Sequence, residues 1–150
     1  MRLDERLGLA YELYERCDLA ADIGTDHGFL PVELVRRGIA SRAIASDLRE
    51  GPLSRAKAHI GEAGLSGRIE TRLGPGLQTL SPGEADVIVI AGMGGILVRE
   101  ILLEDRNIAC GAQAWVLSPH TDRDLVRRTV YELGFRIEDE EMAEIEMSSR

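Results

Sequence analysis

The sequence predicts an α/β domain built on an open, mostly parallel, doubly wound sheet with helices on both faces. Three observations carry that expectation. Short apolar runs alternate with segments of helical period along most of the chain. The run Asp86-Val87-Ile88-Val89-Ile90-Ala91 is continuous and β-branched, the pattern of a central parallel strand covered on both faces. Two runs, ending at Ile23 and Ala91, pass straight into glycine-bearing turns.

In chain order, Leu3, Leu7, Ala10, Tyr11 and Tyr14 fall at helical spacing, so an amphipathic helix over 1–17 precedes a core of 18–150. Leu19 to Ile23 is the first strand. Phe29, Leu30, Leu34 and Val35 resume the helical period, with Pro31 tolerated in the first turn and Gly38 placed to end the helix. Ala43 to Asp47 is a second strand. Gly51-Pro52 opens a helix with Leu53, Ala56 and Ile60 on one face, and Gly64 closes it. A third strand over Arg68 to Arg72 leads into the breaker-rich loop Leu73-Gly74-Pro75-Gly76. After the fourth strand and Gly92-Met93-Gly94-Gly95, a helix is marked by Ile96, Leu97, Ile101 and Leu102, and a fifth strand by Ala114 to Leu117. Leu125, Val126, Thr129, Val130 and Leu133 belong to a helix begun by Thr121 or Asp122 and ended by Gly134, and Phe135 to Asp139 is the sixth strand.

At 150 residues and 44% hydrophobic, the chain has material for one core and one domain. No stretch approaches the roughly 18 to 20 apolar residues a membrane helix needs, and the mixed-charge start Met1-Arg2-Leu3-Asp4-Glu5-Arg6 lacks a signal-peptide core. A cytoplasmic protein with no membrane partner is expected. Cys17 and Cys110 match no zinc or redox spacing, so they read as small buried hydrophobes and no metal site is expected. The net charge of −8 opposes unspecific attraction to a polyanion. Arg36, Arg37, Arg42, Arg49, Arg55 and Lys57, then Arg123, Arg127 and Arg128, form local clusters; they read either as helix faces paired with nearby carboxylates or as phosphate contacts.

Ligands on doubly wound sheets bind outside the carboxyl ends of the strands. The turn Asp22-Ile23-Gly24-Thr25-Asp26-His27-Gly28 therefore stands where a cofactor is held. It departs from the dinucleotide pattern G-x-G-x-x-G, because Gly24 and Gly28 are four apart and Asp26 and His27 fill the space between them. Such an acidic turn suits a cation better than a pyrophosphate, and the sulfonium and ammonium of S-adenosylmethionine are one such pair. Asp47 ends the second strand 25 residues beyond Asp22, near the spacing at which an acidic side chain takes ribose hydroxyls; the alternative is that it caps the following helix.

Three segments, Asp22 to Pro31, Glu50-Gly51-Pro52-Leu53 and Ile90 to Gly95, resemble in order the motifs of the bacterial tRNA adenine-N1 methyltransferases of the TrmK type. The resemblance covers roughly Leu3 to Asp139. It implies a Rossmann-like class I methyltransferase domain that uses S-adenosyl-L-methionine to methylate N1 of adenine at position twenty-two of tRNA. By that resemblance Asp22, Ile23, Gly24, Thr25, Asp26 and His27 line the methionine end of the cofactor, Asp47 takes the ribose, Leu48, Gly74, Pro75 and Gly76 also bind the cofactor, and the turn from Ala91, Gly92 and Met93 to Gly95 faces cofactor and target base. It also implies a seventh strand, which has to fit within Ala143 to Met147, and a helical C-terminal domain in the family, expected to grip tRNA, before which this chain stops.

N1 of neutral adenine carries a lone pair, so attack needs no prior deprotonation, but the product ring is cationic. Asp26 is the expected catalytic carboxylate, steadying that charge or taking a proton from the exocyclic amine, with His27 positioning it or touching the base. The alternatives are a helix cap for Asp26 and a backbone-bonded loop histidine for His27. Two loops differ from the family pattern. Gly74-Pro75-Gly76-Leu77 replaces Gly-Asp-Gly-Leu, removing a carboxylate expected on the adenine amine, and Ser118-Pro119-His120 replaces Gln-Pro-Asn, leaving Ser118 and His120 to hydrogen-bond a base. A methyltransferase for a smaller substrate and a non-catalytic relative stay open as alternatives.

Overall fold

The computed structural model describes residues 17–140 and 145–149. Seven strands, β1 (Cys17–Ile23), β2 (Ala40–Asp47), β3 (Ile69–Leu73), β4 (Val87–Met93), β5 (Ala114–Pro119), β6 (Phe135–Glu140) and β7 (Ile145–Ser149), form one sheet. Their order is β3-β2-β1-β4-β5-β7-β6. Strands β1 to β5 pair in parallel, and β7 runs antiparallel to both β5 and β6. The helices are α1 (Phe29–Arg36), α2 (Glu50–Glu62), α3 (Gly95–Glu104), α4 (Arg106–Gly111) and α5 (Arg123–Glu132). The mostly parallel, doubly wound sheet expected from the sequence is thus the one that forms.

The apolar run of β4 is continuous because its alternating side chains serve two layers. Ile88 and Ile90 join one core with Trp115, Leu117, Val98, Leu102, Val126 and Val130. Val87 and Val89 join another with Leu30, Leu34 and Val116 on the opposite side. All four side chains are buried. Burial on both faces is what a period-2 backbone requires when helices cover each side.

Several boundaries differ from expectation, each for a local reason. Residue Cys17 begins β1 rather than ending a helix, and the expected N-terminal helix otherwise lies outside the described residues. Strand β4 continues through Gly92, where a register shift between Ala91 and Met93 accompanies a left-handed backbone at φ 78°. A glycine absorbs that bulge and lets pairing resume, with Met93 opposite Pro119. The last strand is Ile145–Ser149, two residues beyond its expected place. Helix α4, six residues long, was not foreseen because so short a segment shows no period. It matters to the core: its Ala109 carbonyl accepts the Trp115 indole N–H at 2.8 Å, and the Trp115 ring stacks on Phe135 at 3.6 Å.

The cysteine expectation is corrected by the same elements. Cys110 is exposed because α4 buries only Ala109, and Cys17 is half-buried at the sheet's rim. Burial, followed by the nearby Asp86 charge, pushes the Cys17 thiol up to about 11. Among the basic residues, Arg36 and Arg37 pair with Glu33, Arg42 with Asp18 and Arg127 with Asp124. These are exposed pairs of small energetic weight.

The loop between β3 and β4 is held by a tighter contact. The Arg72 guanidinium donates to both carboxylate oxygens of Glu84, at 2.8 and 2.7 Å, and to the Thr79 carbonyl at 2.7 Å. Glu84 also accepts the Ser81 N–H at 3.0 Å. The hydrogen bonds from Arg72 hold the Glu84 carboxyl down at about 2. A carboxyl depressed in the fold stabilises above its unfolded pKa of about 4.5, and that contribution is lost as pH falls from there toward 2. Glu84→Gln should therefore cost about 2 kcal/mol at pH 7, the scale of a charged hydrogen bond. Urea unfolding should show the gap between parent and variant narrowing at pH 3; an unchanged gap contradicts this account.

Candidate functional site

A cavity of about 860 Å³ opens at the carboxyl ends of β1 to β5, where the strand order reverses between β1 and β4. Its size lies within the range of ligand pockets. Fifteen sequence-predicted residues line it: Asp22, Ile23, Gly24, Thr25, Asp26, Asp47, Leu48, Gly74, Pro75, Gly76, Ala91, Gly92, Met93, Ser118 and His120. His27 is outside the lining.

The turn after β1 is built against the end of β2. The N–H groups of Gly24 and Thr25 both donate to the Ser46 carbonyl, at 2.9 and 2.8 Å. Asp47 completes the seam, its two carboxylate oxygens accepting the N–H of Asp26 and the N–H of Arg49, each at 3.0 Å. Each oxygen keeps a second lone pair for a ligand. The N-cap of α2 is Arg49, which lacks a side-chain cap, so Asp47 braces the loop rather than capping the helix itself. Nor does Asp26 cap α1, whose N-cap is Gly28.

Two buried polar groups lie on the cavity floor. Burial, aided by the Asp47 charge, pushes the Asp22 carboxyl up to about 7, against a smaller opposing pull from the Thr25 hydroxyl. That hydroxyl is near enough to matter without completing a hydrogen bond, and Thr25 Oγ1 is buried with no partner. A buried polar atom left unpaired in a native fold calls for a ligand or an ordered water.

Asp26 adopts a left-handed backbone at φ 58°, a conformation aspartate tolerates better than most residues. Its exposed carboxylate lies on the cavity side, 3.6 Å from His27 Nε2 and 4.0 Å from the Arg55 guanidinium. His27 itself does not line the cavity. Its ring sits 5.5 Å from Phe29, which meets His59 edge-on at 4.5 Å. The structure thus places Asp26 on the cavity lining and His27 just behind it, against the lining residues Asp26 and Phe29.

On the opposite wall the loops after β4 and β5 are clamped together. The His120 N–H donates to the Met93 carbonyl at 2.8 Å, and the Gly95 N–H to the Thr121 carbonyl at 3.0 Å. A Cβ at position 95 would fall 2.5 Å from that same carbonyl oxygen, so only glycine fits there. Ser118 and His120 reach the cavity through this arrangement.

Part of the lining escaped sequence reasoning. Leu97, Glu100, Ile101 and Glu104 follow i, i+3, i+4, i+7 spacing on α3, with Asp105 just beyond, and together make a wall of the cavity. The signal was available: a stripe half apolar and half acidic is a poor core face, and Leu97 is 46% exposed. Phe29, Leu30, Ser46 and Arg49 also line the cavity; Ser46 lies within the predicted second strand, and the others just follow a predicted turn or strand. In all, six carboxyl groups (Asp22, Asp26, Asp47, Glu100, Glu104 and Asp105) face one guanidinium, Arg49. That balance favours a ligand with positive charge and several donors over an anionic one.

Comparison with known proteins agrees with this geometry. Residues 3–148 match the family described as a methyltransferase domain. The curated tRNA (adenine(22)-N(1))-methyltransferase of Bacillus subtilis (strain 168) is 35% identical over 144 residues, which is 96% of this chain and 60% of that protein. The chain thus spans about three fifths of that relative's length. The crystal structure of the B. subtilis M1A22 tRNA methyltransferase TrmK superposes with a TM-score of 0.90 at 32% identity, covering 99% of this chain and 67% of the other. A Streptococcus pneumoniae protein solved in complex with S-adenosyl-L-methionine gives 0.86 at 33% identity, covering 98% and 72%. On a match that runs from residue 3 to residue 148, the chain belongs to the methyltransferase-domain family and, within it, to the TrmK-type tRNA (adenine-N1) methyltransferases.

Proposed function

We propose that this chain is the catalytic domain of an S-adenosylmethionine-dependent methyltransferase that modifies N1 of the adenine at position twenty-two of tRNA. The observation that carries the reading is the carboxyl-rich cavity at the strand-order reversal, together with the names of the relatives. A tRNA substrate implies a cytoplasmic enzyme.

The residues present fit the cofactor. Asp22 and the unpartnered Thr25 hydroxyl offer an anion and a free polar group to its amino-acid end. The free lone pairs of Asp47 suit its ribose, and Leu48, Leu97 and Ile101 offer apolar surface to its adenine. When bound, it supplies an electrophilic methyl group. Asp26 stands at the mouth, where its carboxylate steadies positive charge growing on the target ring or accepts a proton from the exocyclic amine. His27 and Arg55 fix its direction from outside the cavity. Ser118 and His120 supply hydrogen bonds to the target base, in a turn fixed by Pro119 and by the His120 N–H bond to Met93. Arg55, exposed on α2 beside Asp26, is suited to a backbone phosphate despite the net charge of −8.

The main test is transfer of labelled methyl from the cofactor to unmodified tRNA. Product should be N1-methyladenine, and a transcript with guanine at position twenty-two should take no label. A protein that fails to bind S-adenosylmethionine in a calorimetric titration refutes the reading. Asp26→Ala should keep cofactor affinity within a few-fold while the rate of transfer falls by about a hundredfold, the scale of general acid–base help. Equal rates for parent and variant would remove Asp26 from the mechanism.

Asp22 makes binding pH-dependent. Its carboxyl holds a proton in the free protein up to about pH 7, whereas a cationic ligand favours the ionised form. Cofactor affinity should rise with pH up to about 7 and then level off, and below that point binding should release a proton. Without ligand the sign reverses: the fold holds this proton more tightly than the unfolded chain, so stability should fall as pH rises from about 3.8 to about 7. Titrations at pH 6 in buffers of different protonation heat measure the release, and Asp22→Asn should abolish it. Parent heats that ignore the buffer contradict the assignment.

A further inference from the structure

We infer that Glu100 and Glu104 are specificity-determining residues that read the exocyclic amine of the cofactor's purine; the inference rests on the cofactor reading above. Their placement is unfavourable on local grounds. Both lie in the last two turns of α3, at the negative end of its dipole, with Asp105 next in sequence and no basic residue in the last turn. At i, i+4 spacing the two glutamates repel one another. Among the described residues neither forms an ion pair. Rules of local stability are broken in this way chiefly where a site needs the charge.

The cavity they line is marked for a ligand by a separate feature, the buried and unpartnered Thr25 hydroxyl. Its layout gives a direction to that ligand. With the amino-acid end at the turn after β1 and the ribose at Asp47, the purine extends past β2 toward the loop after β3 and the α3 wall. The loop contributes Gly74, Pro75 and Gly76, none of which has a side-chain hydrogen-bonding group, and Pro75 lacks even an N–H. Recognition of the purine edge by a side chain therefore falls to the wall beside that loop. The two surfaces are close: a Cβ on Gly76 would lie 3.5 Å from Ile101, one residue beyond Glu100. Gln78, in the short 3-10 turn Gly76–Thr79, holds Glu104 by donating from Nε2 to Oε1 at 3.5 Å.

Carboxylates accept hydrogen bonds and donate none when ionised. They suit the amino group of adenine and oppose the carbonyl oxygen of a 6-oxo purine, so the pair selects by attraction and by repulsion at once. In the family pattern resembled by this chain, the carboxylate stands in the loop at the position of Pro75; here it has moved across the cavity to the helix.

The test compares S-adenosylhomocysteine with its 6-oxo counterpart, S-inosylhomocysteine, by calorimetric titration. Glu100 and Glu104 are exposed, so the parent should prefer the amino form by about tenfold, the scale of a hydrogen bond to a charged group. In Glu100→Ala/Glu104→Ala the preference should shrink to about threefold or less, with a melting temperature equal to or above the parent's because a like-charge repulsion is gone. Adding Pro75→Asp to the double variant should restore discrimination. A double variant that discriminates as well as the parent, or a parent that binds both compounds equally, overturns this inference and leaves the methyltransferase reading intact. A parent that binds neither compound sinks both together.

Discussion

Everything at the site depends on the seam between the turn after β1 and the end of β2. Ser46 and Asp47 together accept five N–H groups beyond the strand ladders, three from the turn, one from Arg49 and one from Gly74 in the loop after β3. Those contacts fix the turn's left-handed residues, the exposure of the Asp26 carboxylate, and the burial of Asp22 and Thr25 beneath it. Asp47 does two things with one group. It consumes one lone pair per oxygen to hold the protein and keeps the others for a ligand. Removing it therefore disturbs the shape of the site as well as its chemistry, and loss of activity in such a variant cannot be assigned to a single contact.

The electrostatics follow from the same construction. A wall of carboxyl groups is costly in an empty fold: Asp22 answers by holding its proton, and the glutamates of α3 sit at the wrong end of their helix. In the proposed complex these costs would be recovered, a cation ionising Asp22 and ligand donors meeting the other carboxylates. The protein thus stores in its free state part of the selectivity it later expresses. Stability is supplied elsewhere, by the doubly covered β4, the Trp115 stack and the Arg72–Glu84 brace.

Legibility of this arrangement in the sequence tracked the physics of each part. The sheet and its large helices were readable because burial on two faces forces long apolar runs, and because glycine marks the turns between them. The turn from Asp22 to Gly28 and the acidic end of β2 were readable because close backbone approach and strand-end position restrict residue types. That His27 stands beside the Asp26 carboxylate and not on the cavity lining was not readable, because spacing does not report on which side of a reversal a side chain leaves. The α3 wall was missed for a different reason. Its apolar residues fit a helix period and its acidic ones carry no period of their own, so only packing against the loop after β3 reveals the stripe as one surface. Helix α4 was invisible because six residues are too few to show a helical period.

The clamp between the loops after β4 and β5 also bears on how such a site can diverge. With Gly95 pressed against the Thr121 carbonyl and His120 bonded through its backbone to Met93, neither loop can lengthen or shift without unseating the start of α3. Descent with modification on this side of the cavity is then confined to exchanging side chains on a fixed frame. Ser118 and His120, standing where the family pattern has other residues, are the kind of variation such a frame admits, and a new substrate would be acquired there by replacement rather than by insertion.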